Sequence, residues 1–317
     1  MHRPDKGGNS TRRQTAQTES RGSEMAESIT KYGILVAVDG SPESEAAVSW
    51  AAREAVMRRL PVTLMHVIAP VEVTWPVTYL QSSFDEWQEE NAKQVLEQAQ
   101  KTFQGSVGGA EVPAVNSVVE HGPIASTLVA ASADAWMVVA GNRGMGALGR
   151  ALLGSVSSGL LHYARGPVAI IPAEAPTPDP AAPVLLGIDG SPAAEGATAL
   201  AFDEASRRGV ELVALHAWSD TRVFPIVGAD WQKHQEEGQE VLAERLAGWQ
   251  EQYPEVRVRR RLVCDQPARW LLDESDQAQL VVVGSRGRGG FKGMLLGSVA
   301  AKVAQGAQVP VIVVRDR

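Results

Sequence analysis

Two segments of this chain carry glycines at the same spacing, in a pattern that suits the binding of a phosphate. Each segment follows G-x2-G-x9-G-S, and the members are Gly141, Gly144, Gly154 and Ser155 in the first segment and Gly284, Gly287, Gly297 and Ser298 in the second. Glycine lets the backbone approach a phosphate closely. Each final glycine and its serine are predicted to open a helix, whose free N–H groups and positive dipole end favour an anion. The pattern therefore predicts two phosphate sites.

A carboxylate is expected to form the other half of each site. Asp39 and Asp189 each follow a short apolar run and precede the tripeptide Gly-Ser-Pro. Because a carboxylate repels phosphates unless a metal lies between them, each aspartate is expected to contact ribose hydroxyls or an adenine nitrogen, or to bind Mg²⁺. The chain contains no G-x4-G-K-[ST] sequence, so a P-loop with its lysine on the β- and γ-phosphates is excluded.

The chain repeats itself once. Segment 34–47 recurs at 184–197, and segment 137–160 recurs at 281–303. His66 and His216 share the offset of 150 residues that separates the two aspartates, and each is interpreted as a hydrogen-bonded histidine inside an apolar strand. The repeat and the intervening prolines predict an N-terminal tail at 1–31, a first lobe at 32–172, an extended proline-rich linker at 173–183 and a second lobe at 184–317.

Apolar runs alternate with longer helical patterns in both lobes. In the first lobe the runs are 34–38, 62–67, 112–119, 136–140 and 167–171. Such runs are typical of parallel strands covered on both faces. Ser41–Pro42 and Ser191–Pro192 each indicate the start of a helix. The predicted fold class is α/β, with two tandem, doubly wound, Rossmann-like parallel sheets of five strands, and ligands in such sheets bind beyond the carboxyl ends of the strands.

Composition limits the possible partners. With 44% hydrophobic residues among 317, each lobe can bury a core. A net charge of −7 argues against a protein that coats nucleic acid or anionic membranes, so neither is expected as a partner. Residues 1–31 have almost no large apolar side chains and are predicted to be disordered. One cysteine and no apolar signal segment lead to the expectation of a cytoplasmic protein.

The positively charged side chains near the glycine segments and the tryptophans each allow two interpretations. Arg143 and Arg286 lie within the glycine segments, with Arg150, Arg288 and Lys292 close by in the sequence. These cations could help to hold a triphosphate, or they could be solvated loop charges. The eight tryptophans, four in each lobe, are interpreted as anchors of the core or of an interface.

Taken together, these segments resemble the universal stress protein family in its tandem, two-lobe form. The matching residues are VAVDGSP and LGIDGSP, the two glycine segments, and the sequences LLGSVSSGLLHYARGPV and LLGSVAAKVAQGAQVPV that complete them. The resemblance covers about 32–317. It implies an adenine-nucleotide-binding fold, with ATP and Mg²⁺ at one site in each lobe.

The resemblance also implies which positions contact the nucleotide, although it assigns no catalytic residue. In the first lobe they are Ala37, Asp39, Val67, Gly141, Arg143, Gly144, Gly154, Ser155, Val156 and Ser157. In the second lobe they are Gly187, Asp189, Ala217, Gly284, Arg286, Gly287, Gly297, Ser298 and Val299.

The expected function is that of an ATP-binding regulatory protein in a stress response. Nucleotide occupancy, rather than fast catalysis, would change its surface for a regulatory protein partner. The alternatives are a slow ATPase and a nucleotide-independent dimeric scaffold. The apolar segments 167–172 and 309–314 are expected at sheet edges, where they would pair the two lobes with each other and would also serve as the interface of a homodimer.

Overall fold

A computed structural model describes residues 30–70, 81–111, 114–144, 153–173, 179–191, 194–217, 231–287 and 295–315 of the chain. The predictions for residues 1–29, for the middle of the linker and for Arg150, Arg288 and Lys292 lie outside these described residues. Among the described helices, none is long and apolar enough to span a membrane.

Both lobes alternate strands with helices. The first lobe contains β1 (Gly33–Ala37), α1 (Pro42–Arg58), β2 (Val62–Ile68), α2 (Gln81–Val107), β3 (Val115–His121), α3 (Ile124–Ala131), β4 (Ala135–Gly141), α4 (Ser155–Tyr163) and β5 (Val168–Ile171). The second lobe contains β6 (Val184–Gly187), α5 (Glu195–Arg208), β7 (Leu212–Ala217), α6 (Trp231–Gln252), β8 (Val258–Val263), α7 (Pro267–Ser275), β9 (Leu280–Gly284), α8 (Ser298–Gly306) and β10 (Val311–Val314).

The strands of the two lobes form one sheet in the order β3-β2-β1-β4-β5-β10-β9-β6-β7-β8. Within each lobe every pairing is parallel, which confirms the predicted α/β class with five parallel strands per lobe. The order reverses at β1 and β4 in the first lobe and at β6 and β9 in the second. A crevice for a ligand is therefore expected at the carboxyl ends of these strands.

The expectation that the last strands pair the two lobes with each other is confirmed, whereas the expectation that they form a homodimer interface is wrong. β5 and β10 pair with each other antiparallel inside the chain, with Ile312 opposite Ala169. β5 also pairs with β4, and β10 also pairs with β9, so both edges of each strand are occupied. The two apolar strands join the lobes and leave no free edge for a second copy.

Two other local predictions differ from the structure. Ser41 caps α1 as expected, since its Oγ accepts a hydrogen bond from Ser44 N at 3.2 Å. Its counterpart Ser191 does not cap α5, which begins at Glu195 after Ala194, and the buried Ser191 Oγ has no partner among the described residues. The third strand begins at Val115 rather than 112, and as an edge strand it is largely exposed.

A buried cluster of charges, which we name the junction cluster, links α1 to α5. It consists of Glu54, Arg58, Glu204 and Arg208, and the second Glu–Arg pair repeats the first after 150 residues. Arg58 Nε donates to Glu54 Oε2 at 3.2 Å, and the same guanidinium also pairs with Glu204. Arg208 Nε donates to Glu204 Oε2 at 3.0 Å and pairs with Glu54. Each arginine therefore bridges the glutamates of both lobes.

The junction cluster lies almost out of reach of water. The side chains of Glu54, Glu204 and Arg58 are 1%, 0% and 4% exposed. The Arg58 guanidinium lies 4.5 Å from the centroid of the Trp136 ring, while Arg208 Nη1 donates to Gln279 Oε1 at 3.3 Å. A buried charge is tolerated only when it is paired and hydrogen-bonded, so each half of the cluster depends on the other lobe.

Substitution of Glu54 by glutamine is expected to change how stability depends on pH. Burial and the charge of Glu204 raise the pKa of Glu54 from 4.5 to about 7, against the opposing effect of Arg208 and Arg58. Because the folded state then holds a proton that the unfolded chain releases, the extra stability is complete below about pH 4.5 and lost by about pH 7. Stability measured by urea denaturation should therefore fall from pH 5 to pH 8 more in the wild type than in Glu54→Gln.

The fall in the free energy of unfolding should be larger in the wild type than in Glu54→Gln by about 3 kcal/mol, since a pKa difference of one unit corresponds to about 1.4 kcal/mol. Glu244→Gln, at an exposed position of α6, is the matched control and should follow the wild-type pH curve. Identical pH curves for Glu54→Gln and the wild type would show that Glu54 titrates alike in the folded and unfolded states.

Candidate functional site

A cleft of about 660 Å³ opens at the carboxyl ends of β1 and β4 in the first lobe. This volume is in the range of pockets that hold a small organic ligand. All ten positions predicted for the first lobe line it, namely Ala37, Asp39, Val67, Gly141, Arg143, Gly144, Gly154, Ser155, Val156 and Ser157. The structure thus brings together residues from the ends of three strands, the segment after β4 and the start of α4.

The Asp39 carboxylate is held between the start of α1 and the glycine segment. Its Oδ1 accepts hydrogen bonds from Ser41 N at 3.0 Å and from Ser41 Oγ at 2.6 Å. A Cβ atom on residue 144 would lie 2.4 Å from its Oδ2, so the position of the carboxylate requires a glycine there. Asp189 and Gly287 repeat this contact in the second lobe, where Ser191 N donates to Asp189 Oδ1 at 2.9 Å.

At the remaining positions of the first segment, glycine is needed for different physical reasons. A Cβ on Gly141 would lie 2.6 Å from the Cβ of Glu43, so this glycine lets the first turn of α1 pack against the end of β4. Gly154 is the N-cap residue of α4 with an extended backbone, and its N–H donates to Asn142 O at 2.9 Å. The glycine pattern predicts phosphate contact at Gly141 and does not reveal its packing role.

The start of α4 presents hydrogen-bond donors to the cleft. Ser155, Val156 and Ser157 form its first turn, in which backbone N–H groups have no acceptor within the helix. The Ser157 hydroxyl donates to Gly141 O at 2.6 Å, so this side chain holds α4 against β4. The free amides and the helix dipole make this end of the cleft favourable for an anion.

Charged and polar side chains complete this end. Arg143 lines the cleft, and its Nε lies 3.9 Å from Glu43 Oε1. His66 also lines the cleft, with its Nδ1 2.8 Å from Val38 O; because a carbonyl can only accept, Nδ1 carries the proton. His216 makes the same contact with Ile188 O at 2.8 Å, as expected of hydrogen-bonded histidines.

The side of the cleft formed by β2, α2 and α3 is largely apolar, and sequence reasoning missed most of it. It is lined by Met65, Ile68, Leu128, Ile124 and Trp87, with Gln88 and Asn91 beside them. The sequence predicts Trp87 as an anchor of the core or of an interface, but in the structure its side chain is 60% exposed and lies at the mouth of the cleft. No residue pattern marked α2 as part of the site; only the fold places its first turns there.

In the second lobe the predicted positions lie on the corresponding elements. Gly187, Ala217 and Gly284 end β6, β7 and β9, while Gly297 caps α8, which Ser298 and Val299 begin. One difference concerns Gly187, which the resemblance places in contact with the nucleotide. A Cβ there would lie 3.0 Å from side-chain atoms of both Leu271 and Val283, so these side chains already occupy the space.

Arg286 of the second glycine segment lies near Arg315, which follows β10. Burial, together with the charge of Arg286, lowers the pKa of Arg315. Arg315 Nη1 donates to Leu161 O at 2.9 Å and also to His162 O, at the C-terminal end of α4. Arg315 therefore joins the end of β10 to the first lobe, close to the second glycine segment.

Comparison with known proteins gives a consistent result. The model of the universal stress protein family matches residues 33–172 and 181–315. A universal stress protein of Mycolicibacterium smegmatis is 58% identical over 294 residues, which cover 92% of this chain and all of the relative. One of Mycobacterium tuberculosis is 51% identical over the same shares of both chains. A crystal structure of a universal stress protein from Archaeoglobus fulgidus, 21% identical, superimposes with a TM-score of 0.66 over 89% of this chain and 98% of the other.

Proposed function

Because this chain belongs to the universal stress protein family, we propose that it is an ATP-binding regulatory protein with one nucleotide site in each lobe. The observation that carries the proposal is the cleft of the first lobe. Its polar end combines Asp39, the glycine segment and the start of α4, and its apolar side has room for a base. The matching Asp189–Gly287 contact supports a second site.

Each group in the cleft has a part that its chemistry suits. The amides of the first turn of α4 would bind phosphate oxygens, and Arg143 would balance their charge. Asp39, held by Ser41, would accept hydrogen bonds from ribose hydroxyls. The described residues include no group of three or more His, Cys, Asp or Glu side chains able to hold a metal. Mg²⁺ would arrive bound to the phosphates of the nucleotide.

The proposed signal is nucleotide occupancy rather than rapid turnover. In the described part of the cleft, Asp39 is the one carboxylate in the lining, so no pair of carboxylates is available for acid–base catalysis there. We expect any hydrolysis to be slower than about 1 s⁻¹, the lower end of ordinary enzymatic rates. Occupancy would then alter the surface around the cleft, which a regulatory protein partner would recognise.

The proposal is tested by what the purified full-length protein carries. The protein is denatured without added nucleotide, and the released small molecules are identified by ion-pair chromatography and mass spectrometry. We expect close to two equivalents of adenine nucleotide per chain, or uptake of two equivalents when Mg-ATP is added. Protein that releases nothing and binds no Mg-ATP at millimolar concentration would contradict the proposal and favour a nucleotide-independent scaffold.

A further inference from the structure

The mouth of the first-lobe cleft carries exposed apolar side chains that the fold does not use. Four large hydrophobic side chains are exposed among the described residues, and two of them, Trp87 at 60% and Ile124 at 39%, line this cleft. An indole is one of the largest apolar surfaces that a side chain can bury. Its exposure to water therefore leaves a considerable free energy of burial unused. Their position in the lining of a cleft makes these exposed side chains a candidate binding surface.

Trp87 is held in place at the rim. Its ring lies against that of Phe84 one turn earlier on α2, with centroids 5.6 Å apart and planes at 31°. The next residue, Gln88, donates from Nε2 to Ala69 O at 3.4 Å, just after the end of β2. This hydrogen bond connects the first turns of α2 to the end of β2 beneath the cleft. The Trp87 indole lies at the mouth of the cleft.

Asn91 lies one turn further along the same helix. Residues four apart share a helix face, and both Trp87 and Asn91 line the cleft. Asn91 is half-buried, and its amide makes no hydrogen bond within the described part of the chain. A carboxamide offers a donor and an acceptor side by side, the pair that matches the exocyclic amino group and ring nitrogen of adenine.

We propose that these two residues of α2 select the base of the ligand: Trp87 stacks on its face, and Asn91 hydrogen-bonds the edge of adenine. This inference rests on the proposed function. With phosphates at the start of α4, the base lies at the apolar side of the cleft, where Trp87 and Ile124 stand. Base selectivity in this lobe therefore comes from a helix that carries no part of the glycine pattern.

The second lobe is not expected to share this selectivity. The buried Leu96 of α2 corresponds to the buried Leu242 of α6, an offset of 146 residues. In that register the sequence has Lys233 where α2 has Trp87, and Glu237 where it has Asn91. The first lobe is therefore the one to test, in a chain whose second site is disabled.

The test compares variants made in full-length protein that carries Gly287→Glu. ATP, GTP and inorganic tripolyphosphate are titrated by calorimetry into this parent and into its Trp87→Ala, Trp87→Phe and Asn91→Leu derivatives. We expect Trp87→Ala to weaken ATP binding by about tenfold or more, as alanine substitution of base-stacking aromatic residues does in proteins that bind single-stranded nucleic acids. Trp87→Phe should retain most of the affinity. Asn91→Leu should reduce the preference for ATP over GTP, whereas tripolyphosphate, which has no base, should bind all variants alike.

Tyr163→Ala is the matched control, because Tyr163 is also 60% exposed and does not line the cleft. It should leave every affinity unchanged. A parent that binds ATP, with no change in affinity or base preference in Trp87→Ala and Asn91→Leu, would overturn this inference and leave the proposed function standing. A parent that binds neither ATP nor tripolyphosphate would overturn both.

Discussion

Arg58→Ala is expected to lower the free energy of unfolding by about 3–5 kcal/mol, because it removes one of the two arginines that compensate the buried glutamates. Arg58 contacts Glu54 on its own helix, and it reaches Glu204 and Asp203 on α5, the last at 2.5 Å. Removal of the guanidinium leaves the side chain of Glu204, which has no exposure to water, with Arg208 alone. Urea denaturation followed by circular dichroism measures the loss.

Arg207→Ala provides the matched control for this prediction. Arg207 also forms an ion pair with Asp203, at 2.8 Å on α5, but its side chain is 41% exposed. Exposed pairs contribute at most about 1 kcal/mol, so the control should cost far less than Arg58→Ala. Equal effects for the two variants would mean that water reaches the junction cluster and that the lobes are not held together by buried charge.

The junction cluster also shows why part of this fold could not be predicted. Strand and helix order follow from local patterns, since each apolar run and each helix start is contained within a few residues. Glu54 and Glu204 look like ordinary charges on a helix in the sequence, and nothing local shows that the two helices face each other. That proximity follows from the antiparallel pairing of β5 with β10, which depends on the whole of both lobes.

The candidate site also contains both residues that could be predicted from the sequence and residues that could not. Asp39, Gly144 and Ser155 belong to short motifs whose residue types follow from the chemistry of a phosphate or sugar, and the structure gathers them in one cleft. Trp87 and Asn91 belong to no motif, because their place at the mouth depends on how α2 crosses the end of β2. Gly141 shows a third case, in which a motif residue has a packing role that only Glu43 explains.

Gly144→Glu is expected to abolish nucleotide binding in the first lobe, reducing the bound ATP from two equivalents to one. Any Cβ at this position overlaps Asp39 Oδ2, so the glycine segment or the carboxylate must move. The added negative charge would also face the phosphates, which like charges repel. Gly287→Glu should have the same effect in the second lobe through Asp189, and the double variant should bind no nucleotide. Calorimetry with Mg-ATP gives both stoichiometry and affinity.

Two further variants separate the causes. Gly144→Ala brings the overlap with Asp39 without the charge, so a loss of affinity there would assign the effect to the contact between the glycine and the carboxylate. Gly105→Glu, at an exposed position of α2 where a Cβ meets nothing within 4 Å, should bind as the wild type does. Full retention of two equivalents by both single glutamate variants would show that nucleotide binds elsewhere, because a carboxylate at residue 144 would face a ligand at the start of α4, and one at residue 287 would face a ligand at the start of α8.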